Sequence, residues 1–124
     1  MRETVLLFHF SDKDRRNRLV RALLPMRMKI KEISKEDYGK PVGYLAGNVD
    51  ILPGQPHAAE EELSDELMVM AGLSGHRVDQ VLRAMRKSGV LVAHKAVLTP
   101  SNQTWNVYQL FEEIHLEHER MAGK

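Results

Sequence analysis

The chain has 124 residues, a length that suits one compact domain spanning residues 1–124 with a core of its own. It has no cysteine, which excludes disulfides, zinc–thiolate clusters and thiol nucleophiles and suits a reducing, cytoplasmic setting. Its 18 basic and 17 acidic residues leave a net charge of +1, and aromatics are only 6%, so the composition argues against nucleic acid as a partner.

Val5-Leu6-Leu7-Phe8-His9-Phe10 is a short apolar run that reads as a buried strand. No small-residue cleavage site follows it, so it does not read as a signal peptide, and no apolar run approaches the ~20 residues of a membrane span. Ser11 is placed to cap a helix, and Leu19, Ala22, Leu23 and Met26 recur at helical spacing until Pro25 ends it. Lys29–Ser34 reads as a second strand. Val42–Gly47 reads as one helical turn after Pro41, which suits the first helical position. Residues 48–62 are rich in proline, glycine and acid and are expected to form a mobile loop.

The second half repeats the plan. Leu67–Ala71 is an apolar strand, and Ser74 caps a helix whose buried stripe is Val78, Val81, Leu82 and Met85. Leu73 and Val78 form its staple, and Ser88-Gly89 ends it. Ala93–Thr99 is the next strand. Asn106 and Gln109 have the spacing of a capping box, with Trp105 and Leu110 as the staple of a last helix. Val107, Leu110, Phe111, Ile114, His118 and Met121 form its inward stripe. Met26, Met28, Met68, Met70 and Met85 read as core filling.

The run Lys95-Ala96-Val97-Leu98-Thr99-Pro100-Ser101-Asn102-Gln103-Thr104-Trp105 packs a strand, a polar loop and a helix start together. Lys95, Ala96, Leu98, Thr99, Asn102 and Trp105 follow a lysine–alanine, leucine–threonine, asparagine, tryptophan pattern. Here the chain resembles an uncharacterised bacterial family known only as a domain of unknown function. Gly72-Leu73-Ser74 with the helix after it, and Leu110–Glu119, match that family too; Gly43–Gly47 matches more loosely. The resemblance implies no activity.

Several clusters carry a functional and a plain reading side by side. The hydroxyls and amides of Thr99–Thr104, ahead of a helix start and near Lys95, could hold an anion, or could satisfy their own turn. Lys13, Arg15, Arg16, Arg18 and Arg21 could meet phosphates or an acidic partner, but Asp12 and Asp14 among them favour a solvated face. His115 and His118 lie three apart on one helix face with Glu112 and Glu119 close by, but two histidines fall short of the three or four protein ligands a zinc site usually takes. His9 reads as a hydrogen-bonded core residue, while His57, His76 and His94 have no evident partner. No nucleophile–histidine–acid set, phosphate loop or zinc-protease motif is present.

These observations predict an α+β fold, a ferredoxin-like βαββαβ sandwich with an added C-terminal helix. The alternative is a mixed α/β sheet with helices on both faces. In the first arrangement the first and third strands run parallel at the centre. Ser11 and Ser74 then share one sheet edge, and the Thr99 loop lies on the other. The expected function is a non-enzymatic binding or regulatory module without metal, cofactor or catalytic residue. Lys95, Thr99, Ser101 and Asn102 would take a small anionic ligand or a protein partner. The alternative is a small enzyme whose site assembles at the interface of an oligomer such as a homodimer.

Overall fold

The computed structural model describes residues 1–54 and 61–122. Its elements are β1 (Thr4–Phe8), α1 (Lys13–Leu23), β2 (Lys29–Ile33), α2 (Val42–Leu45), β3 (Leu67–Ala71), α3 (Gly75–Ser88), β4 (His94–Val97) and α4 (Val107–Ala122). Residues 55–60, within the expected loop 48–62, and the Met121 side chain lie outside the description.

The four strands form one sheet in the order β2-β1-β3-β4. β1 pairs parallel with β2, β3 pairs parallel with β4, and the two pairs meet antiparallel along β1 and β3. The α+β class therefore holds, while the order differs from a ferredoxin-like one. In that fold each strand–helix–strand unit is split by a strand of the other. Here each helix returns its chain to the neighbouring position, so the units lie side by side.

This order also corrects the expected geometry. β1 and β3 are antiparallel, which puts the starts of α1 and α3 on opposite edges of the sheet. Thr99 follows β4, which runs parallel to β3, so its loop shares an edge with Ser74.

β1 and β3 are buried along their whole length, as continuous apolar runs require. Alternation sends Leu6, Phe8, Leu67 and Val69 to one face and Val5, Leu7, Met68 and Met70 to the other. The first face meets Tyr38, α2 and the α4 residues Val107, Leu110 and Phe111. The second meets Leu19 and Leu23 of α1 and Val81 and Met85 of α3. Helices thus cover both faces. The edge strands carry Lys29, Lys31, Glu32 and Lys95, charges that discourage pairing with another chain.

Caps define the helix ends. Ser74 Oγ accepts from the Arg77 N–H at 3.2 Å, and Gly89 closes α3 at φ 79°. The α4 capping box is complete: the Gln109 N–H donates to Asn106 Oδ1 at 2.9 Å, and Gln109 Oε1 accepts from the Asn106 N–H at 3.2 Å. The α1 cap is Asp12 rather than Ser11, because its carboxylate accepts from both the Asp14 and Arg15 N–H groups. Pro25 ends α1 in a short 3₁₀ turn, Leu24–Met26. Pro41 sits at the cap position of α2, one residue earlier than expected.

The shift at α1 traces to His9, whose backbone is left-handed at φ 61°. That turn places Phe10 in the core opposite to the one that holds Phe8. A left-handed residue with a side chain costs ~1–2 kcal/mol, and histidine tolerates the conformation better than most.

Candidate functional site

The expected binding residues do not converge. Lys95 stands opposite Met68 in the sheet and so faces the α1/α3 side. Its ammonium donates to the Val92 carbonyl at 2.6 Å. The Thr99–Asn102 turn closes on itself. Asn102 Oδ1 accepts from the Thr99 N–H at 2.8 Å, Thr99 Oγ1 accepts from the Asn102 N–H at 3.2 Å, and Asn102 Nδ2 donates to the Val97 carbonyl at 3.1 Å. Asn102 is buried, while Thr99 and Ser101 are exposed.

The same loop is a seam between the halves of the chain. The first N–H groups of α2 point into it, Val42 to the Trp105 carbonyl and Gly43 to the Gln103 carbonyl, both at 2.8 Å. Gly43 is required there, because a Cβ would stand 2.8 Å from that Gln103 oxygen. Asn48 Nδ2 donates to Gln103 Oε1 at 2.9 Å. The polar groups ahead of α4 are thus largely engaged by the fold.

A second polar cluster joins β4 to α4. His94 is 3% exposed and stacks on Phe111, with ring centroids 4.6 Å apart. A chain of contacts runs from Asp65 Oδ2 to His94 Nδ1 at 3.6 Å, from His94 Nε2 to His115 Nδ1 at 3.0 Å, and from His115 Nε2 to Glu119 Oε1 at 3.0 Å. Two neutral imidazoles carry one N–H each, two protons for three gaps. If His94 donates to His115 and His115 to Glu119, Nδ1 of His94 is left bare, and that buried atom has no hydrogen-bond partner. Burial holds the His94 pKa below its ordinary value; Asp65 pulls it up, while His115, His118 and Lys95 push it further down. No set of three or more side chains suited to a metal ion occurs among the described residues.

The third cluster lies where β1 and β2 end, in an open cleft of about 310 Å³. Leu7, Phe10 and Ile33 line it, together with His9, Ser11, Ser34, Lys35 and the carboxylates Glu32, Glu36 and Glu62. A groove over the first turn of α1 shares Phe10, Ser11 and Glu32 with it and adds Lys13, Arg16 and Asn17. Here the left-handed turn at His9 takes effect. The imidazole faces Glu62, Nδ1 to Oε2 at 3.4 Å, and is half-buried rather than a core residue.

Tyr38 lies beneath this pair. Its ring is 1% exposed and packs edge-on against Phe8 and Tyr108. Burial pushes the phenol far above its ordinary range, and the Glu62 carboxylate adds to that, so Tyr38 stays a neutral phenol. For Glu62, burial works against the charge. The Tyr38 hydroxyl, the Leu63 N–H and His9 outweigh it, and the carboxyl stays below its ordinary range. Glu32 is held by Arg16 at 2.8 Å. Glu36 and Lys35 have no ion-pair partner among the described residues.

Glu62 carries no site signal in the sequence because residues 48–62 read only as a loop, and Tyr38 carries none because it stands outside every predicted element. His9 carried one signal, a histidine at the end of an apolar strand.

Among the described residues no helix is long and apolar enough to cross a membrane. No curated protein and no solved structure matches the chain. Residues 66–121, which hold β3, α3, β4 and most of α4, match the family described as Domain of unknown function (DUF3783), and this second strand–helix–strand unit with its helix carries a domain of that family.

Proposed function

We propose that the chain is a small-ligand-binding module whose site is the cleft at the ends of β1 and β2. The observation that carries this reading is His9: a residue in a costly backbone conformation that sets its imidazole against the Glu62 carboxylate in an open cleft. Strain of this kind collects at functional positions. In open sheets with helices on both faces, ligands favour the crevice beyond the carboxyl ends of strands. A volume of about 310 Å³ admits a small metabolite. The lining carries both signs, Lys35 against Glu36 and Glu62, with the His9 imidazole beside them over an apolar floor. It fits a small zwitterion, a free amino acid or a close analogue that bears an amine and an acid together.

The start of α1 offers such a ligand no anion site, since Asp12 already occupies its N–H groups. The acid group falls to Lys35 and the two serines. The amine falls to Glu36 and the outer face of Glu62.

The test is a thermal-shift and calorimetry panel of free amino acids beside their N-acetylated and amidated forms. A ligand held at about 100 times its Kd adds about 2.7 kcal/mol of stability. Saturable binding of a free amino acid, lost when either end is blocked and weakened by His9→Ala or Glu62→Gln, is the expected result. No saturable ligand, or one indifferent to both substitutions, would overturn the reading.

A second reading rests on the same pair. Glu62 lies against Nδ1 of His9, and a carboxylate at Nδ1 suits Nε2 to act as a general base. It predicts that a bound ligand is slowly converted, which NMR of the incubated mixture would reveal, and that His9→Ala stops the conversion. On this reading the enzymatic site would be built from one chain.

A further inference from the structure

A second pocket, of about 240 Å³, opens on the other face of the sheet, where edge strand β4 passes the flank of α3. Leu82 and Met85 of α3 and Leu91 and Val92 of the connecting turn form its walls. Arg86 and Lys95 complete the lining. Leu91 stands 66% exposed at its rim, a large apolar side chain that the fold leaves uncovered.

The charge at this pocket is of one sign. Neither Arg86 nor Lys95 meets a carboxylate among the described residues. The nearby acid, Glu66, is already gripped by Arg15 through two hydrogen bonds, at 2.7 and 3.1 Å. The same guanidinium donates to the Leu91 carbonyl at 2.8 Å and so fixes the rim. Lys95 spends one donor on Val92, and an ammonium has two more. Apolar walls with two unpaired cations at the side complement a molecule of opposite design.

We propose that this pocket binds a carboxylate carried on an apolar body of a few carbons. Lys95 and Arg86 take the acid, and Leu82, Met85, Leu91 and Val92 take the body. The chemistry is shared by a free short-chain or aromatic acid and by a peptide whose last residue is apolar.

Hexanoate, hexanol and hexylamine, titrated against the full chain by calorimetry and methyl NMR, test it. Hexanoate is expected to saturate and to shift the methyl signals of Leu82, Met85 and Leu91. Hexanol should bind about tenfold more weakly, the equivalent of one lost charge-assisted hydrogen bond, and hexylamine not at all. Lys95→Met, with an unchanged melt, should weaken hexanoate about tenfold and leave hexanol as it was. Arg86→Gln, at an exposed position, serves as a second variant of the same kind. A short peptide ending in leucine identifies the source: tighter binding of its free-acid form than of hexanoate assigns a peptide terminus, and weaker binding assigns a free acid, either of which upholds the site. Equal binding of hexanoate and hexanol, or full hexanoate binding by the Lys95→Met, Arg86→Gln double variant, would overturn the proposal.

Discussion

The loop at Thr99–Asn102 and the cleft at His9 are both polar, and both follow the ends of strands. They differ in where their polar groups are spent. In the loop, the side-chain amide of Asn102 bonds the Thr99 N–H and the Val97 carbonyl, and Thr99 returns a bond to Asn102. Its backbone serves α2 as well. In the cleft, His9 and Glu62 contact one another at 3.4 Å, but Lys35 and Glu36 beside them have no ion-pair partner among the described residues. Polar composition marks both places equally; the accounting of partners sets the proposed cleft site apart from a turn that bonds itself.

The comparison predicts that damage to the loop lowers stability and damage to the cleft lowers binding. Trp105 is half-buried against the α4 side of the core and shares the seam. Trp105→Ala should cost about 3 kcal/mol, the low end for a large aromatic, read as a lower thermal midpoint. Asn102→Ala strips the part-buried Thr99 N–H and Val97 carbonyl of their partners and should cost about 2 kcal/mol by denaturant unfolding. A variant at either position that melts with the parent would place the seam's stability elsewhere.

Acid should act on the β4–α4 contact. Burial keeps the folded His94 pKa below the ordinary histidine value of about 6.5, so as pH falls the unfolded chain binds this proton first. The His94 contribution is therefore fully present above about pH 6.5 and is lost as pH drops through the folded value. Thermal melts from pH 7.5 to 5 should fall, and His94→Gln should flatten that slope. A slope unchanged in the variant would assign the acid sensitivity to other groups.

The smallest effect on stability is expected in the cleft. His9→Gly relieves a left-handed side chain and adds backbone entropy to the unfolded state, two terms of ~1 kcal/mol that oppose each other. The melt should stay close to the parent, while binding of a zwitterion is lost. A large destabilisation would recast His9 as a structural residue.

Local signals in the sequence reached far into the fold. The apolar runs at Val5–Phe8 and Leu67–Ala71 marked buried strands, and Ser74, Gly89, Asn106 and Gln109 marked helix ends that rest on neighbours a few residues away. Strand order depends on which side each helix returns its chain, and nothing in those local patterns records that. The loop at Lys95–Trp105 stood out by composition, yet a turn that bonds itself and a turn that bonds a ligand draw on the same residue types. The cleft was hidden for the converse reason. Its parts, His9, Ser34, Tyr38 and Glu62, come from separate segments that only the turn at His9 and the packing of Tyr38 under β1 bring together.

The measurement that bears most directly on the site is residue-resolved NMR of the full chain during titration with a free amino acid that raises its melting point. The account predicts amide shifts at His9, Phe10, Ser11, Ser34, Lys35 and Tyr38, with Thr99, Ser101 and Asn102 unmoved. Shifts centred on Thr99–Asn102, with the cleft silent, would contradict it.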